Sequence, residues 1–190
     1  MSRAAKVLFA LIVLVGGVAL AQDAPVAPPA IAAPPVLSEA LDFDIEETSG
    51  VVRNLRDLRG RIVVVYHEDR EHTDTNRPLK MELFQFIRDN ALSTEITTYG
   101  IANLHGVEGI IRDLARTAIR AMAAQYGIQI LLDWEGTLLA APFSCADHEA
   151  NFLLFDRQGR IRYRHTGVIE GAERTAMYRV LRQLIHEPRP

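Results

Sequence analysis

The sequence contains one cysteine, Cys145, in 190 residues. A dithiol oxidoreductase, or a peroxidase with its own resolving thiol, needs two cysteines in one chain, so both activities are excluded for this chain. Positive charge is also scarce, because 21 Lys and Arg stand against 24 Asp and Glu, for a formal net charge of −3. Nucleic acids attract clustered positive charge, so we expect no nucleic-acid partner.

Long apolar runs are absent except at residues 7–20, and that run is shorter than the roughly 20 residues a membrane-spanning helix needs. Arg3 and Lys6 precede it, and Ala19-Leu20-Ala21 supplies the small residues that a signal peptidase requires. These features predict a signal peptide over residues 1–21, export, and no stable membrane span after cleavage. An uncleaved anchor is the alternative.

Residues 22–40 are predicted to form a tether. Five of the nine prolines lie in this segment among alanines. This composition favours extended polyproline II and has few of the large apolar side chains that form a core. The composition is globular from about residue 41 onward, with no repeat, so residues 41–190 are predicted to form one domain.

Runs of β-branched and alternating apolar residues predict strands in this domain. The run Ile62-Val-Val-Val-Tyr66, which follows Gly60, is typical of a central strand buried on both faces. Further strands are predicted at residues 96–102 and 128–132. The turn sequence Asp156-Arg-Gln-Gly159 predicts an antiparallel hairpin of residues 152–155 with residues 160–165.

Amphipathic patterns predict three helices. The first is expected to begin at Asn76, as its cap, with Pro78 in the first turn. The second covers residues 108–126 with Gly127 as its stop, and it carries one apolar stripe. The members of that stripe are Ile111, Leu114, Ala118, Ile119 and Met122. The order βαβαβ, hairpin, helix predicts an α/β fold in which helices cover a central mixed sheet.

Two segments carry a family resemblance. Residues 43–66, FDIEETSGVVRNLRDLRGRIVVVY, resemble the opening of secreted thioredoxin-like and peroxiredoxin-like domains, and residues 151–167, NFLLFDRQGRIRYRHTG, resemble their closing hairpin. With ITTYGIAN and ILLDWEGTLLAAPF between them, the order and spacing more narrowly resemble the YtfJ-type periplasmic proteins, a thioredoxin-like family of unknown biochemical role. The resemblance implies a periplasmic, thioredoxin-like domain with an N-terminal β-hairpin extension. It supplies no catalytic residues.

The redox motif of that fold has no counterpart in this sequence. Redox members place Cys-x-x-Cys where the central strand meets its helix, because the helix N-terminus stabilises a thiolate. The matching segment here is residues 66–74, with Glu71 and Asp74 near the two cysteine positions. Neither carboxylate can attack a disulfide.

The same segment prompts a metal hypothesis, since its imidazoles and carboxylates are ligands that first-row metals accept. The candidate binding residues are His67, Glu68, Glu71, His72 and Asp74, of which His67 and His72 are the candidate metal ligands. The spacing matches no zincin motif, because Glu71 stands where the second histidine is required. Acids near a helix start also cap free amides and favour the positive end of the helix dipole, and we favour this interpretation and expect no cofactor.

Cys145 is the single candidate for thiol chemistry. It stands three residues before His148, a spacing that allows a thiolate–imidazolium pair. A lone cysteine is more commonly buried and inert, and we favour that interpretation.

The sequence therefore predicts an exported thioredoxin-like domain without the CxxC motif, acting as a non-catalytic binding or interaction module in the periplasm. Its partner is expected to be an envelope protein or a small ligand. Two alternatives remain open: a metal-binding or enzymatic site within residues 67–74, and single-cysteine redox chemistry at Cys145.

Overall fold

A computed structural model of the chain describes residues 39–189. The predicted signal peptide and nearly all of the predicted tether lie outside the described residues. The strands within the described range are β1 (Asp44–Glu47), β2 (Val52–Asn54), β3 (Ile62–Glu68), β4 (Ile96–Asn103), β5 (Ile130–Asp133), β6 (Asn151–Phe155) and β7 (Ile161–Thr166). The helices are α1 (Arg77–Asp89), α2 (Gly109–Tyr126) and α3 (Gly171–His186), with a 3-10 helix at Leu55–Leu58.

The strands form one mixed sheet in the order β2-β1-β5-β4-β3-β6-β7. Strand β3 pairs in parallel with β4, and β4 with β5, whereas β3 pairs antiparallel with β6. The predicted α/β class and the N-terminal hairpin of β1 and β2 are confirmed. All seven residues of β3 are buried, as a central strand requires. Because β3, β4 and β5 run parallel, the loops that follow them meet at one edge of the sheet.

The sheet separates two apolar cores, because alternate residues of a strand point to opposite faces. Val64 and Tyr66 of β3 pack with Leu83 of α1 and Leu181 of α3. Val63 and Val65 face the other way, toward the β1–β2 hairpin and three side chains of the loop after β5. Those three are Leu138, Phe143 and Cys145. A fully buried Leu or Val side chain contributes roughly 1.5–3 kcal/mol relative to exposure.

Asn76 precedes α1 as predicted, but its side chain does not cap the helix. Its Nδ2 donates to the backbone oxygen of Gly167 at 3.0 Å, and its Oδ1 accepts from the backbone N–H of Ile169 at 2.9 Å. Asn76 thereby ties the start of α1 to the loop between β7 and α3. The predicted capping role is wrong because the partners lie 91 and 93 residues away, beyond the reach of a local pattern.

Helix α2 ends where Gly127 takes a left-handed conformation with φ of 62°, as predicted. Its apolar stripe, however, is split: Leu114 is 62% exposed, Ile111 58% exposed and Ala118 exposed, whereas Ile119 and Met122 are half-buried. No residue of α2 belongs to either core among the described residues. In the part of the chain that the structure describes, no helix has the length and apolar content to cross a membrane.

Candidate functional site

The turn between β3 and α1, residues 69–76, occupies the position of the expected redox motif. Asp69 organises it, because its Oδ1 accepts from the backbone N–H groups of Glu71 and His72 at 3.0 Å each. The same oxygen lies 2.7 Å from Nδ1 of His72. The hydroxyl of Thr73 donates to the backbone oxygen of Asp69 at 2.9 Å. The carboxylate therefore caps this turn rather than helix α1.

Glu68 and Lys80 hold the turn against the sheet. Glu68 is 7% exposed and faces α1, where the Lys80 ammonium lies 2.5 Å from its Oε2. Burial raises the pKa of Glu68, and the attraction of Lys80 only partly opposes it. Lys80 also donates to the backbone oxygen of Thr73 at 2.7 Å. Glu68 is thus an internal anchor of α1, placed away from solvent.

A second loop, residues 146–150, meets the turn from the start of β6. Asn151, 2% exposed, shapes this loop: its Oδ1 accepts from the backbone N–H of Ala146 at 2.9 Å, and its Nδ2 donates to the oxygens of Ala146 and Glu149 at 2.8 and 3.1 Å. His148, at the crest of the loop, takes a left-handed φ of 54°. Its Nδ1 lies 3.2 Å from Oδ2 of Asp69.

Strand β4 contributes a third group to the same edge. Nδ2 of Asn103, the last residue of β4, donates to Oδ1 of Asp147 at 2.8 Å. We call Asp69, His72, Asn103, Asp147 and His148 the Asp69 site. It joins three chain segments at the carboxyl ends of parallel strands, the edge where α/β folds commonly bind ligands.

The two oxygens of Asp69 engage two histidines from different loops. Partial burial acts to raise the pKa of Asp69, but the hydrogen bonds with His72 and His148 outweigh it and leave the pKa below its usual value. The hydrogen bond to Asp69 raises the pKa of His72. Both imidazoles use Nδ1 toward Asp69, and the His148 side chain is 82% exposed. The site therefore presents exposed imidazole surface held in place by a carboxylate.

The other candidates of this segment do not join the Asp69 site. His67 is fully buried on the opposite face of the sheet from Glu68, with Nε2 3.3 Å from Oδ2 of Asp133. Glu71 is exposed, and Asp74, with a 78% exposed side chain, faces Arg77 at 3.6 Å. The two candidate metal ligands, His67 and His72, consequently have separate partners. Across residues 39–189, no group of three or more His, Cys, Asp or Glu is arranged to hold a metal ion.

Cys145 lies in the core that contains Phe143 and is 8% exposed. Burial raises the pKa of its thiol to about 12, so the thiolate is scarce at neutral pH. His148, its expected partner, instead directs Nδ1 to Asp69 and holds Nε2 3.6 Å from Asp147. The sequence-based spacing of Cys145 and His148 thus does not produce a thiol–imidazole pair.

Sequence reasoning missed the roles of Asn103 and Asp147. Both are short polar residues next to strand ends, a signal that occurs throughout any α/β sequence. The parallel pairing of β3 and β4 could have drawn attention to Asn103, because residues that end adjacent parallel strands meet at one edge. Asp147 depends on the path of the loop after β5, which has no sequence signature.

Solved structures share this fold at low sequence identity. An exposed lipoprotein thioredoxin from Streptococcus pneumoniae matches with a TM-score of 0.55 and 17% identity over 76% of this chain and 100% of that one. A thiol-disulfide isomerase from Corynebacterium glutamicum matches with a TM-score of 0.56 and 18% identity, over 79% of this chain and 97% of that one. An uncharacterized conserved protein from Geobacillus kaustophilus matches with a TM-score of 0.60 and 17% identity, over 82% of this chain and 85% of that one.

These likenesses define the chain as a thioredoxin-like α/β domain, and its sequence carries one cysteine and no CxxC pair. At such identities the comparison concerns the fold alone. Comparison with protein-family models finds no match, and comparison with curated proteins finds none either.

Proposed function

We propose that this protein is an exported thioredoxin-like domain that acts as a non-catalytic binding or interaction module in the periplasm, through the Asp69 site. One observation carries the proposal: Asp69 joins His72 and His148 across two loops, at the place where redox members of the fold carry their thiols. The loops are thereby fixed relative to each other, and a surface that is ordered in advance loses less entropy on binding.

Thiol chemistry gains no support from the position of Cys145. The thiol is buried in a core, and its pKa of about 12 leaves little nucleophile at neutral pH. Binding at the Asp69 site, in contrast, does not require a nucleophilic thiol. His148 and Asp147, which are exposed, offer a hydrogen-bond donor and acceptors to a polar small ligand or to a segment of another envelope protein.

The periplasmic location is part of the same proposal. Residues 1–21 have the charge, apolar run and cleavage residues of a signal peptide. One structural neighbour is described as an exposed lipoprotein, which is consistent with an extracytoplasmic setting. The YtfJ-type family, whose segments this sequence resembles, would place the chain there as well. Fractionation of the envelope, with the mass of the isolated chain, tests export, and cleavage after Ala21 is the expected result.

Site-specific photo-crosslinking in the cell of origin tests the binding role. A photoreactive residue at Glu149, which is exposed beside His148, is expected to give a crosslinked species of defined mass. The same residue at Phe84, 62% exposed on α1, is the matched control and should not give that species. The variant Asp69→Ala should abolish the Glu149 crosslink, because it releases both histidines.

Equal crosslinking from both positions, or none from Glu149, would count against a binding role for the Asp69 site. Native mass spectrometry of the same material addresses the alternatives. A stoichiometric metal that His72→Ala removes would replace the proposal with metal binding, and an adduct on Cys145 would replace it with thiol chemistry.

A further inference from the structure

Helix α2 presents an uncharged, mainly apolar face to solvent. Successive residues of an α-helix turn by about 100°, so the following residues lie on one side: Ile110, Ile111, Leu114, Thr117, Ala118, Ala121, Ala124 and, near the end of the helix, Gln125. All of them are exposed, and Ile110 reaches 76%. We call this set the α2 face. Its one hydroxyl, that of Thr117, donates to the backbone oxygen of Asp113 at 2.9 Å and so is already paired.

Arginines outside this face fix its orientation. Arg116 forms a two-pronged ion pair with Glu46 of β1. Arg120 donates to the backbone oxygen of Thr48, and Arg112 lies over the ring of Trp134 at 4.5 Å. These contacts hold α2 against the sheet edge, with half-buried Ile119 and buried Ala123 on the same side as Arg112. An apolar helix face that is turned outward in this way is typical of an interaction surface.

The sizes of the side chains along the α2 face suit pairing of the face with a second copy of itself. Its N-terminal half carries the large side chains Ile110 and Leu114, and its C-terminal half carries the small ones Ala118, Ala121 and Ala124. Two copies of the helix packed antiparallel around a two-fold axis bring the large half of each against the small half of the other. Two-fold pairing of one surface with itself is the commonest symmetry of protein oligomers.

The charges at the border of the α2 face fit the same arrangement. Asp113 and Arg120 border it on one side, and Arg120 retains guanidinium donors beyond those it directs to Thr48. If Asp113 of one copy faces Arg120 of the other, the axis passes between residues 116 and 117. Leu114 of each copy then falls between Ala118 and Ala121 of the other. A single register satisfies both the shape and the charges.

We propose that the α2 face is the interface of a homodimer in which two copies of α2 pack antiparallel. An 18-residue helix is about 27 Å long, and one helix per subunit buries less than the roughly 800 Å² that stable dimers bury on each side. An interface of this size belongs to the weak, transient class, so the dimer should form only at high protein concentration. It does not depend on the function proposed for the Asp69 site.

Sedimentation of residues 22–190, which contain the whole described domain, tests the proposal over a range of about 10 to 500 µM. The wild type should shift from monomer to dimer, whereas Leu114→Glu should remain a monomer because it buries a charge in the interface. Phe84→Glu, a change of equal chemistry at a 62% exposed residue of α1, is the matched control and should dimerise as the wild type does. Asp113→Arg should raise the dissociation constant about tenfold, since it places like charges together.

A crosslink tests the register separately. Thr117→Cys places two thiols beside the axis and should give a disulfide-linked dimer under mild oxidation, whereas Phe84→Cys should not. The native Cys145 is buried and does not compete. The proposal is overturned by a wild type that stays monomeric at 500 µM, by a dimer that Leu114→Glu leaves intact, or by equal crosslinking at both positions. Circular dichroism of each variant establishes that it is folded.

Discussion

The imidazole of His67 lies against the carboxylate of Asp133, with Nε2 3.3 Å from Oδ2 and neither side chain more than 1% exposed. Asp133 also accepts from the backbone N–H groups of Thr137 and Leu138 at 2.7 and 3.0 Å. Burial acts to raise the pKa of Asp133, but His67 and these amides outweigh it and leave the pKa below its usual value. Asp133 thus links the end of β3 to the loop that carries Cys145.

Removal of this carboxylate should destabilise the domain. Asp133→Ala leaves the buried N–H of Leu138 and the partly buried N–H of Thr137 without an acceptor, and we expect a loss of about 3 kcal/mol in the free energy of unfolding. Asp133→Asn keeps one acceptor oxygen and should cost less. Urea unfolding of the three proteins at neutral pH measures the difference. Equal stability of all three would contradict the structural role of Asp133.

The lowered pKa of Asp133 also predicts an acid dependence. A carboxyl whose folded pKa is depressed contributes stability above its ordinary value of 3.8 and loses it as the pH falls through the lower folded value. The wild type should therefore lose more stability below this value than Asp133→Asn does. Unfolding curves collected between neutral pH and about pH 3 check this, and parallel acid dependence in the two proteins would contradict it.

His72 should give the opposite pH dependence. Its folded pKa is raised above the ordinary 6.5 by the hydrogen bond to Asp69, so its contribution is full below 6.5 and disappears as the pH rises through the folded value. Titration of the imidazole by NMR should show the raised pKa in the wild type and its return toward 6.5 in Asp69→Asn. An unchanged His72 titration in Asp69→Asn would mean that the contact is not formed.

Cys145 should be unreactive in the folded protein. Burial and a pKa of about 12 leave little exposed thiolate at neutral pH, so alkylation should be slow and should become fast in urea. The variant Glu149→Cys with Cys145→Ala, whose thiol is exposed in the adjoining loop, should react at once and serves as the control. A sulfenate formed at Cys145 by dilute peroxide, without unfolding, would be the contrary result.

Asn76 distinguishes a helix cap from a tertiary tie. Asp caps helices about as well as Asn, so a capping role predicts that Asn76→Asp is harmless. In the structure Nδ2 donates to Gly167, which a carboxylate cannot do, so Asn76→Asp should destabilise by about 1–3 kcal/mol. Asn76→Ala loses both tertiary hydrogen bonds and should be destabilised similarly. Thermal unfolding of the wild type and the two variants distinguishes the two roles. An Asn76→Asp variant as stable as the wild type would restore the capping interpretation.

Local patterns were sufficient to place most of the secondary structure. The β-branched run Ile62–Tyr66 lies within the buried central strand, and Gly127 ends α2, because both signals act through neighbouring residues. The turn at Asp156 to Gly159 also forms, with Asp156 accepting from the backbone N–H groups of Gln158 and Arg160. The thioredoxin-like fold followed from the order of these elements and the quoted segments.

The candidate site was only partly predictable. Sequence pointed to the segment after β3, and His72 does lie at the Asp69 site. The sequence analysis grouped His67 and Glu68 in one candidate site. Because neighbouring residues of a strand point to opposite faces, His67 instead lies against Asp133 and Glu68 against Lys80. His148 and Asp147 come from a loop almost 80 residues further along, and the contact of His148 with Asp69 spans 79 residues.

The sequence by itself determined one limit of the chemistry, because one cysteine excludes dithiol exchange, and the order of its periodic segments predicted a mixed sheet covered by helices. Only the tertiary structure decided which polar groups meet and which face of α2 is exposed. A helix with one apolar stripe is ordinarily packed with that stripe inward. Here the Arg116–Glu46 ion pair helps to orient α2 so that Ile111 and Leu114 are exposed. Ile119 and Met122 of the same stripe are half-buried. Sequence periodicity shows that a helix has two different faces. Contacts between residues that are distant in the sequence determine which face is buried.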